Sequence, residues 1–464
     1  MVELTLETAQ WAQENFGSCE LGNALRTRRA VKLAQQMAEH PDGSTPDQTE
    51  NWADLQAAYR LLACEDVTFG QLARPHWRRT IAAARGVVLL IGDTTETDFG
   101  LRRSISGLGP TGDGWGRGFL IHSCMMVDPQ TKQIPGLAGQ ELFYRQPKPK
   151  GENSYQASQR EGRESEVWGR LINQIGPPAA GVRYVHTFDR GADNGDVFCH
   201  LIHQRGDWVI RAAQLPRSVH EETATQRLKA CRLSAVLNRQ PVLGTYELQV
   251  RADGKEPART ALLEVRVARV TIPPRQKRPS AVQRKLGIED ITQWVVEARE
   301  VSPPAGATPV HWVLWTSLSV ESFEEAWLIL GYYELRWLIE EFHKALKTGC
   351  RLEHRQYQTA HSLESLAGLS SVPAVRLVQM KTIAQTAPDT PAEKVVPQVW
   401  LDVLQALRKR TLTTVGEFFR HLAGLGGFLM RKRDGDPGWI TIWRGVDKLL
   451  LGIRGYLAMK QKRG

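Results

Sequence analysis

The stretch Arg85-Gly-Val-Val-Leu-Leu-Ile-Gly-Asp93 decides the fold of this chain. Its apolar residues run on without alternation, which is typical of a strand buried on both faces of a covered sheet. A second strand, Gly181-Val-Arg-Tyr-Val-His-Thr-Phe188, is followed by Asp189. Functional sites of open α/β sheets gather at the carboxyl ends of strands, so we expect Asp93 and Asp189 to share one cleft. The alternative is that each aspartate only caps a turn or helix.

Strand and helix patterns continue along the whole chain. We predict further strands at 119–127, 137–144, 245–250, 261–272, 293–299 and 312–316. Because strands and helices are mixed, these patterns predict an α/β fold with a mixed sheet. Residues 215–310 interrupt this core with alternating, arginine-rich and lysine-rich segments, which indicate an inserted β subdomain with a basic surface. We predict three domains: helical 1–70, a catalytic domain at 71–372 that contains the 215–310 insertion, and helical 373–464.

A second decisive stretch is Tyr333-Glu-Leu-Arg336-Trp-Leu-Ile-Glu340-Glu-Phe-His-Lys-Ala-Leu-Lys347. Projected on one α-helix, Tyr333, Arg336, Glu340 and Lys347 share a narrow stripe. The opposite face carries Leu335, Leu338, Ile339, Phe342 and Leu346, the spacing of a buried face. A carboxylate between two cations and a phenol is suited to a metal ion beside phosphate groups. The alternative is a solvated helix face with charge pairs.

Three acids from distant parts of the chain, Asp93, Asp189 and Glu340, are therefore candidates for one site. Three carboxylates in one pocket repel one another unless divalent cations lie between them. Hard oxygen ligands favour Mg²⁺ or Mn²⁺. Asp98 and Asp193 lie close to the two strand ends in sequence and are expected at most to support such ligands.

Charge and composition indicate a polyanionic partner. The 464 residues carry a formal net charge of +10, with 42% hydrophobic and 24% charged residues, as in ordinary globular proteins. Arg26 and Arg29 belong to a predicted helix of the N-terminal module, where arginines suit DNA phosphates; a solvated charged helix is the alternative. We expect no signal peptide, no membrane partner and a reducing cytoplasm, since the six cysteines are scattered.

Taken together, these motifs resemble the DDE transposases of bacterial insertion sequences, in particular the IS-four family. Asp93 in Ile-Gly-Asp-Thr-Thr and Asp189 in Phe-Asp-Arg-Gly-Ala-Asp are similar to the first two catalytic acids of that family. Glu340 is similar to the third, inside a signature that also contains Tyr333, Arg336 and Lys347.

The resemblance implies a ribonuclease H-like core and a cut-and-paste DNA transposase. It implies hydrolysis at the element end, a hairpin intermediate and joining of 3′ ends to target DNA, with two Mg²⁺ ions (Mn²⁺ can substitute) held by the three acids. The DNA contacts that the resemblance implies are Tyr333, Arg336, Lys347, Trp312, Arg211, Arg26 and Arg29. Trp312 is expected to stack on a flipped base, the alternative being a core tryptophan. The implied partners are element-end DNA, target DNA and a second copy held by the C-terminal domain, in a bacterial cytoplasm at the nucleoid.

Two other functions stay open from the sequence. A DNA-binding regulator of the same ancestry would bind element ends without cutting them. A structure-specific nuclease of the same fold would cut without joining. All three acids and the N-terminal module are present, which favours the transposase.

Overall fold

The computed structural model describes residues 7–100, 105–146, 149, 151–153, 156, 160, 162–250, 257–273, 279–288, 290–431 and 434–461. The chain forms two compact units. The first unit comprises Met1–Ala84, Thr94–Arg145 and Leu338–Gly464, and the second comprises Arg85–Asp93 and Gln146–Trp337. The three-domain division at 70 and 372 stays a prediction.

Strands and helices of the described residues are as follows. The strands are β1 (Gly86–Asp98), β2 (Gly109–Thr111), β3 (Gly116–Val127), β4 (Gly136–Phe143), β5 (Val182–Phe188), β6 (Asp207–Arg211), β7 (Ser218–Glu221), β8 (Cys231–Arg232), β9 (Gly244–Val250), β10 (Arg259–Ile272), β11 (Ile291–Glu300) and β12 (His311–Thr316). The α-helices are α1 (Thr8–Phe16), α2 (Ala24–Glu39), α3 (Thr45–Gln48), α4 (Trp52–Leu62), α5 (Phe69–Ala82), α6 (Val167–Ile175), α7 (Gly195–His203), α8 (Leu233–Arg239), α9 (Ala281–Leu286), α10 (Phe323–Glu334), α11 (Leu338–Lys344), α12 (Ala360–Thr386), α13 (Gln398–Arg408), α14 (Val415–Leu425) and α15 (Trp439–Gln461).

The second unit is built on one mixed sheet in the order β1-β5-β6-β12-β11-β10-β7-β8, with β9 also paired to β10. Strands β1, β5 and β6 are parallel, and the pairings from β6 through β12, β11 and β10 to β7 and β8 are antiparallel. Val185, Val209 and Trp315 are fully buried on the central strands. The predicted mixed α/β sheet is confirmed.

The inserted strands extend this sheet, because β11 pairs with core strand β12 and β10 pairs with β11. The basic surface predicted for the insertion stays a prediction: Arg269, Arg284 and Lys285 are exposed, and the cations at 251–256 and 274–278 lie outside the described residues. Arg259 pairs with Glu300 and Arg266 with Glu264, at 2.9 and 2.7 Å, and both arginine side chains are only 12% exposed. Arg259 thus neutralises the buried Glu300, and Arg266 pairs with the half-buried Glu264.

The first unit has a small sheet and a helical core. Strand β3 pairs with both β2 and β4 in antiparallel fashion. The central helix α12 is buried over most of its length, as expected for a helix without a polar face. It packs against α2, α4, α5 and β4 and against the C-terminal helices α14 and α15.

Residues 333–347 do not form the single α-helix that their periodicity predicts. Helix α10 ends at Glu334, a 3₁₀ turn covers Leu335–Trp337, α11 follows, and Ala345–Gly349 form a π-helix. Tighter and wider turns change the rotation per residue, so the projected stripe does not hold across them. The buried face is confirmed at Ile339, Phe342 and Leu346, which are fully buried, but Leu335 and Leu338 are half-buried.

Within the described part of the chain, every helix is too short or too polar to cross a membrane.

Candidate active site

The two aspartates lie where the parallel pairing of β1 and β5 ends in the second unit, although β1 itself continues to Asp98. Gly92 of β1 is in register with Phe188 of β5, and Asp93 and Asp189 are the next residue on each strand. Neighbouring strands lie about 4.8 Å apart, so the backbones that carry the two carboxylates are adjacent. Both residues are half-buried. The pairing brings these two strand segments together, and the shared site of the two acids stays a prediction.

Aromatic packing fixes the strand ends that carry the acids. The rings of Trp168 and Phe188 pack with their centroids 4.8 Å apart. A Cβ atom on Gly92 would lie 2.6 Å from the Phe188 ring, so this position, one residue before Asp93, needs glycine. The backbone is therefore held rigidly where the carboxylate emerges.

Asp189 begins a tight turn, and its near neighbour Asp193 has a separate structural role. Oδ1 of Asp189 accepts a hydrogen bond from the Gly191 amide at 2.8 Å, as in a helix cap. The Asp193 carboxylate is fully buried, accepts from the Ala213 amide at 2.7 Å and pairs with Arg217 at 2.6 Å. Asp193 is thus bound to its own chain. The sequence analysis missed Arg217, because no local spacing signals a partner 24 residues away.

A chain of contacts runs from Asp93 to three predicted DNA-contacting residues of the same unit. Nη1 of Arg336 lies 3.7 Å from Oδ2 of Asp93, and the Arg336 guanidinium lies 5.8 Å from the centre of the Tyr333 ring. Trp312 packs edge-on against Tyr333 with centroids 5.8 Å apart. Tyr333 is buried and Trp312 is half-buried, whereas Trp315 is the fully buried tryptophan of β12. One face of Trp312 is therefore not enclosed by the core.

Arg211 is the last residue of β6. Its register partner is Leu314 of β12, and its Nη2 donates to the carbonyl of His311 at 3.2 Å. The side chain is half-buried.

Glu340 lies in the first unit, as the third residue of α11. It is exposed, whereas its neighbour Glu341 is buried and accepts from Nζ of Lys381 at 2.6 Å. Consecutive helical residues point in directions about 100° apart, which separates the two glutamates. Lys381 therefore anchors α11 on α12 through Glu341 and leaves Glu340 on the solvent side.

Lys347 is the second signature residue of the first unit. Its ammonium group pairs with Glu353 at 3.0 Å, and Oε1 of Glu353 also accepts from the Asp98 amide at 3.0 Å. Asp98 in turn accepts hydrogen bonds from the Gly100 and Arg117 amides. Asp98 and Glu353 thus connect Lys347 to the β2–β3 hairpin.

Arg26 and Arg29, the two predicted DNA-contacting arginines near the N-terminus, form ion pairs with acids of the first unit. Arg26 pairs with Asp66 at 2.9 Å, and Arg29 pairs with Asp54 at 2.5 Å. Burial acts to raise the pKa of the Asp54 carboxyl, but hydrogen bonds from Gln36, Lys32 and Arg29 outweigh it and hold the pKa well below its usual range. Their DNA contacts stay a prediction.

The donor chemistry at the strand ends suits a divalent cation. Asp93 and Asp189 supply carboxylate oxygens, the hard donors that Mg²⁺ and Mn²⁺ prefer. The turn amide engages Oδ1 of Asp189, which leaves Oδ2 for another ligand. Among the described residues, no group of three or more His, Cys, Asp or Glu side chains lies close enough to hold a metal ion. The positive charge of Arg336 lies beside Asp93 and stabilises the charge of that carboxylate.

Comparison with known families identifies two transposase modules. Residues 8–67 match a family described as Transposase DNA-binding, and residues 153–370 match one described as Transposase DDE domain. The second match covers a little less than half of the chain and includes Asp189, Arg336 and Glu340, whereas Asp93 precedes it.

These matches support a DDE transposase: a protein with DNA as a partner and an enzyme that acts on DNA. The mixed sheet with its helices is consistent with a ribonuclease H-like core. DDE transposase domains generally use divalent metal ions, which agrees with the carboxylate donors at the strand ends.

Proposed function

We propose that the chain is a cut-and-paste DNA transposase of the kind found in the IS-four family. It would bind the ends of its element, cleave them through a hairpin intermediate and join the 3′ ends to target DNA. The single observation that carries the proposal is that Asp93 and Asp189 each follow the last register pair of two parallel strands, Gly92 and Phe188, with Arg336 beside Asp93. The two transposase family matches support it.

Asp93, Asp189 and Glu340 would hold two Mg²⁺ ions. When bound, the ions would supply activation of the attacking oxygen and stabilisation of the leaving oxygen at phosphorus. Mn²⁺ has the same preference for oxygen ligands and would substitute.

The cations and aromatic residues would position the DNA. The Arg336 guanidinium lies between Asp93 and the Tyr333 ring, so a short rotation would bring its planar donors to a phosphate. The Tyr333 hydroxyl and the Lys347 ammonium would contact neighbouring phosphates. Trp312, half-buried against Tyr333, has a face on which an extruded base would stack. Arg211, Arg26 and Arg29 are the remaining proposed DNA contacts.

Each proposed step is a phosphoryl transfer, in which one P–O bond forms as another breaks. Water would attack phosphorus at the element end, and the bond from that phosphorus to the 3′ oxygen of the element would break. The freed 3′-hydroxyl would then attack a phosphodiester of the opposite strand, forming the hairpin and releasing the flanking DNA with a 3′-hydroxyl. Water would open the hairpin by breaking the new P–O bond, which restores the element's 3′-hydroxyl. That hydroxyl would attack a target phosphodiester, whose own 3′ oxygen would leave. A homodimer would hold the two ends, with the C-terminal helices as its proposed contact.

The test is cleavage of a genomic DNA segment that carries the reading frame with its flanking sequence. With Mg²⁺, the full-length protein is expected to give nicks, hairpins and joined products. Binding without any cutting would indicate a regulator, and hairpins without joined products would indicate a nuclease; either result would refute the proposal.

Single variants test the three acids. Asp93→Asn, Asp189→Asn and Glu340→Gln are each expected to lower the cleavage rate by roughly 100-fold or more while DNA binding is kept. Asp193→Asn and Glu341→Gln are matched controls, because these acids pair with Arg217 and Lys381. Both control proteins are expected to cut if they are folded. Normal cutting by any of the first three variants would show that the wrong acid was assigned.

A further inference from the structure

The hairpin of β2 and β3 presents a tryptophan to solvent. Trp115 is 73% exposed at the end of the turn that connects the two strands. Single exposed apolar residues are common and need no explanation by themselves. This one stands out because the turn that carries it is fixed on several sides.

Hydrogen bonds hold the turn backbone. The Gly112 amide donates to Oε2 of Glu96 at 2.7 Å, and Arg145 donates to the Gly112 carbonyl at 3.2 Å and pairs with Glu96. Gly112 and Gly114 adopt φ values of +55° and +97°, the left-handed region that favours glycine. The exposed indole is therefore carried by a rigid support, which lowers the entropy that a ligand must overcome.

The base of the hairpin connects to residues of the proposed active site. The Arg117 amide donates to Asp98 at 3.2 Å, the Asp98 amide donates to Glu353 at 3.0 Å, and Glu353 pairs with Lys347. Glu96, which braces the turn, lies three residues after Asp93 on strand β1. Strand β1 therefore carries both Asp93 and the glutamate that braces the hairpin turn.

A cation accompanies the exposed ring. Arg117 is exposed two residues after Trp115 and lies opposite Pro110 in the hairpin register. An exposed aromatic ring and an exposed guanidinium two residues apart on one hairpin suit a nucleobase and its phosphate. Resting on the proposed transposase function, we propose that Trp115 stacks on a base of the DNA at the cut end, with Arg117 against the adjacent phosphate.

Three substitutions at one position test the stacking. Full-length protein is titrated against a fluorescein-labelled duplex taken from the DNA that flanks its reading frame, and binding is followed by anisotropy. Trp115→Ala and Trp115→Leu are expected to weaken binding by roughly 5- to 150-fold, whereas Trp115→Phe keeps a ring and binds close to wild type. Because the side chain is exposed, the unfolding midpoint is expected to stay unchanged in all three variants.

The salt dependence of DNA binding tests Arg117 separately. Arg117→Ala is expected to lower the slope of log affinity against log salt by about 0.9, because one counterion fewer is released. The Trp115 variants are expected to keep the wild-type slope, since stacking involves no counterion.

The outcomes separate this inference from the proposed function. If Trp115→Leu binds as tightly as wild type, the site is an apolar contact and the stacking is refuted. Equal binding and cutting by Trp115→Ala and wild type would overturn the inference alone. Wild-type protein that neither binds nor cuts the duplex would overturn both.

Discussion

Replacing Asp54 by alanine is expected to destabilise the N-terminal helices while leaving the acids at the strand ends in place. Asp54 is 8% exposed, and the Arg29 side chain, paired with it at 2.5 Å, is 13% exposed. Removing one partner of a buried ion pair leaves the other charge uncompensated, which costs about 3–5 kcal/mol. Lys32, the other cation on Asp54, is 42% exposed and adds less than about 1 kcal/mol.

Hydrogen exchange is the suitable assay, because a chain with two compact units has no single free energy of unfolding. In Asp54→Ala, amides of α2 and α4 are expected to exchange roughly 150- to 5,000-fold faster than in wild type. Arg28→Ala is the matched control. Arg28 is exposed on the same helix, so its exchange rates are expected to stay at the wild-type level.

A double variant distinguishes the lost ion pair from lost packing. Asp54→Ala with Arg29→Met removes the uncompensated charge and is expected to exchange more slowly than Asp54→Ala alone. Two results would refute the reasoning. One is an unchanged exchange rate in Asp54→Ala. The other is a double variant whose change in the logarithm of the exchange rate equals the sum of the changes in the two single variants. Either would mean that the Arg29 charge is not stabilised by Asp54.

Three further outcomes follow from the contacts. Because folding lowers the pKa of Asp54, its ionised form stabilises the fold fully above the ordinary carboxyl pKa of about 3.9. This stabilisation is lost as the pH falls through the lower pKa of the folded state. Exchange in α2 should therefore accelerate only below about pH 4. Arg336→Ala is expected to lower the cleavage rate by about 10- to 1,000-fold, since the charge beside Asp93 is lost; unchanged cleavage in a steady-state assay would contradict this. Gly445→Ala places a Cβ atom 2.0 Å from the Leu422 carbonyl oxygen, so helices α14 and α15 must move apart, and a fall of several degrees in the midpoint of thermal unfolding is expected.

Local sequence determined the strands and the two acids that follow them. The apolar runs before Asp93 and Asp189 predict β5 and the start of β1 to within one residue, because burial on both faces of a strand leaves a direct mark on composition. Strand β1 continues to Asp98, beyond the apolar run. The matching register of β1 and β5 then follows from parallel pairing. The roles of these acids and of Glu340 stay a prediction.

Periodicity was insufficient where the backbone changes its helical form. The stretch Tyr333–Lys347 has the spacing of one α-helix, yet a 3₁₀ turn and a π-helix divide it. Ile339, Phe342 and Leu346 are buried, as they would be on one face of a regular helix, so their spacing does not reveal where the pitch changes. Tertiary contacts override local preference in such segments.

Only the tertiary structure decided which charged residues serve the fold. Sequence spacing places Glu340 on the predicted site stripe, but it does not show which buried partner Glu341 or Arg29 would have. Lys381 pairs with Glu341, which lies 40 residues away in the chain, and Asp54 pairs with Arg29, which lies 25 residues away. The physical reason is that a buried charge is stabilised by a partner brought close by folding, and a partner that distant leaves no mark on the local pattern.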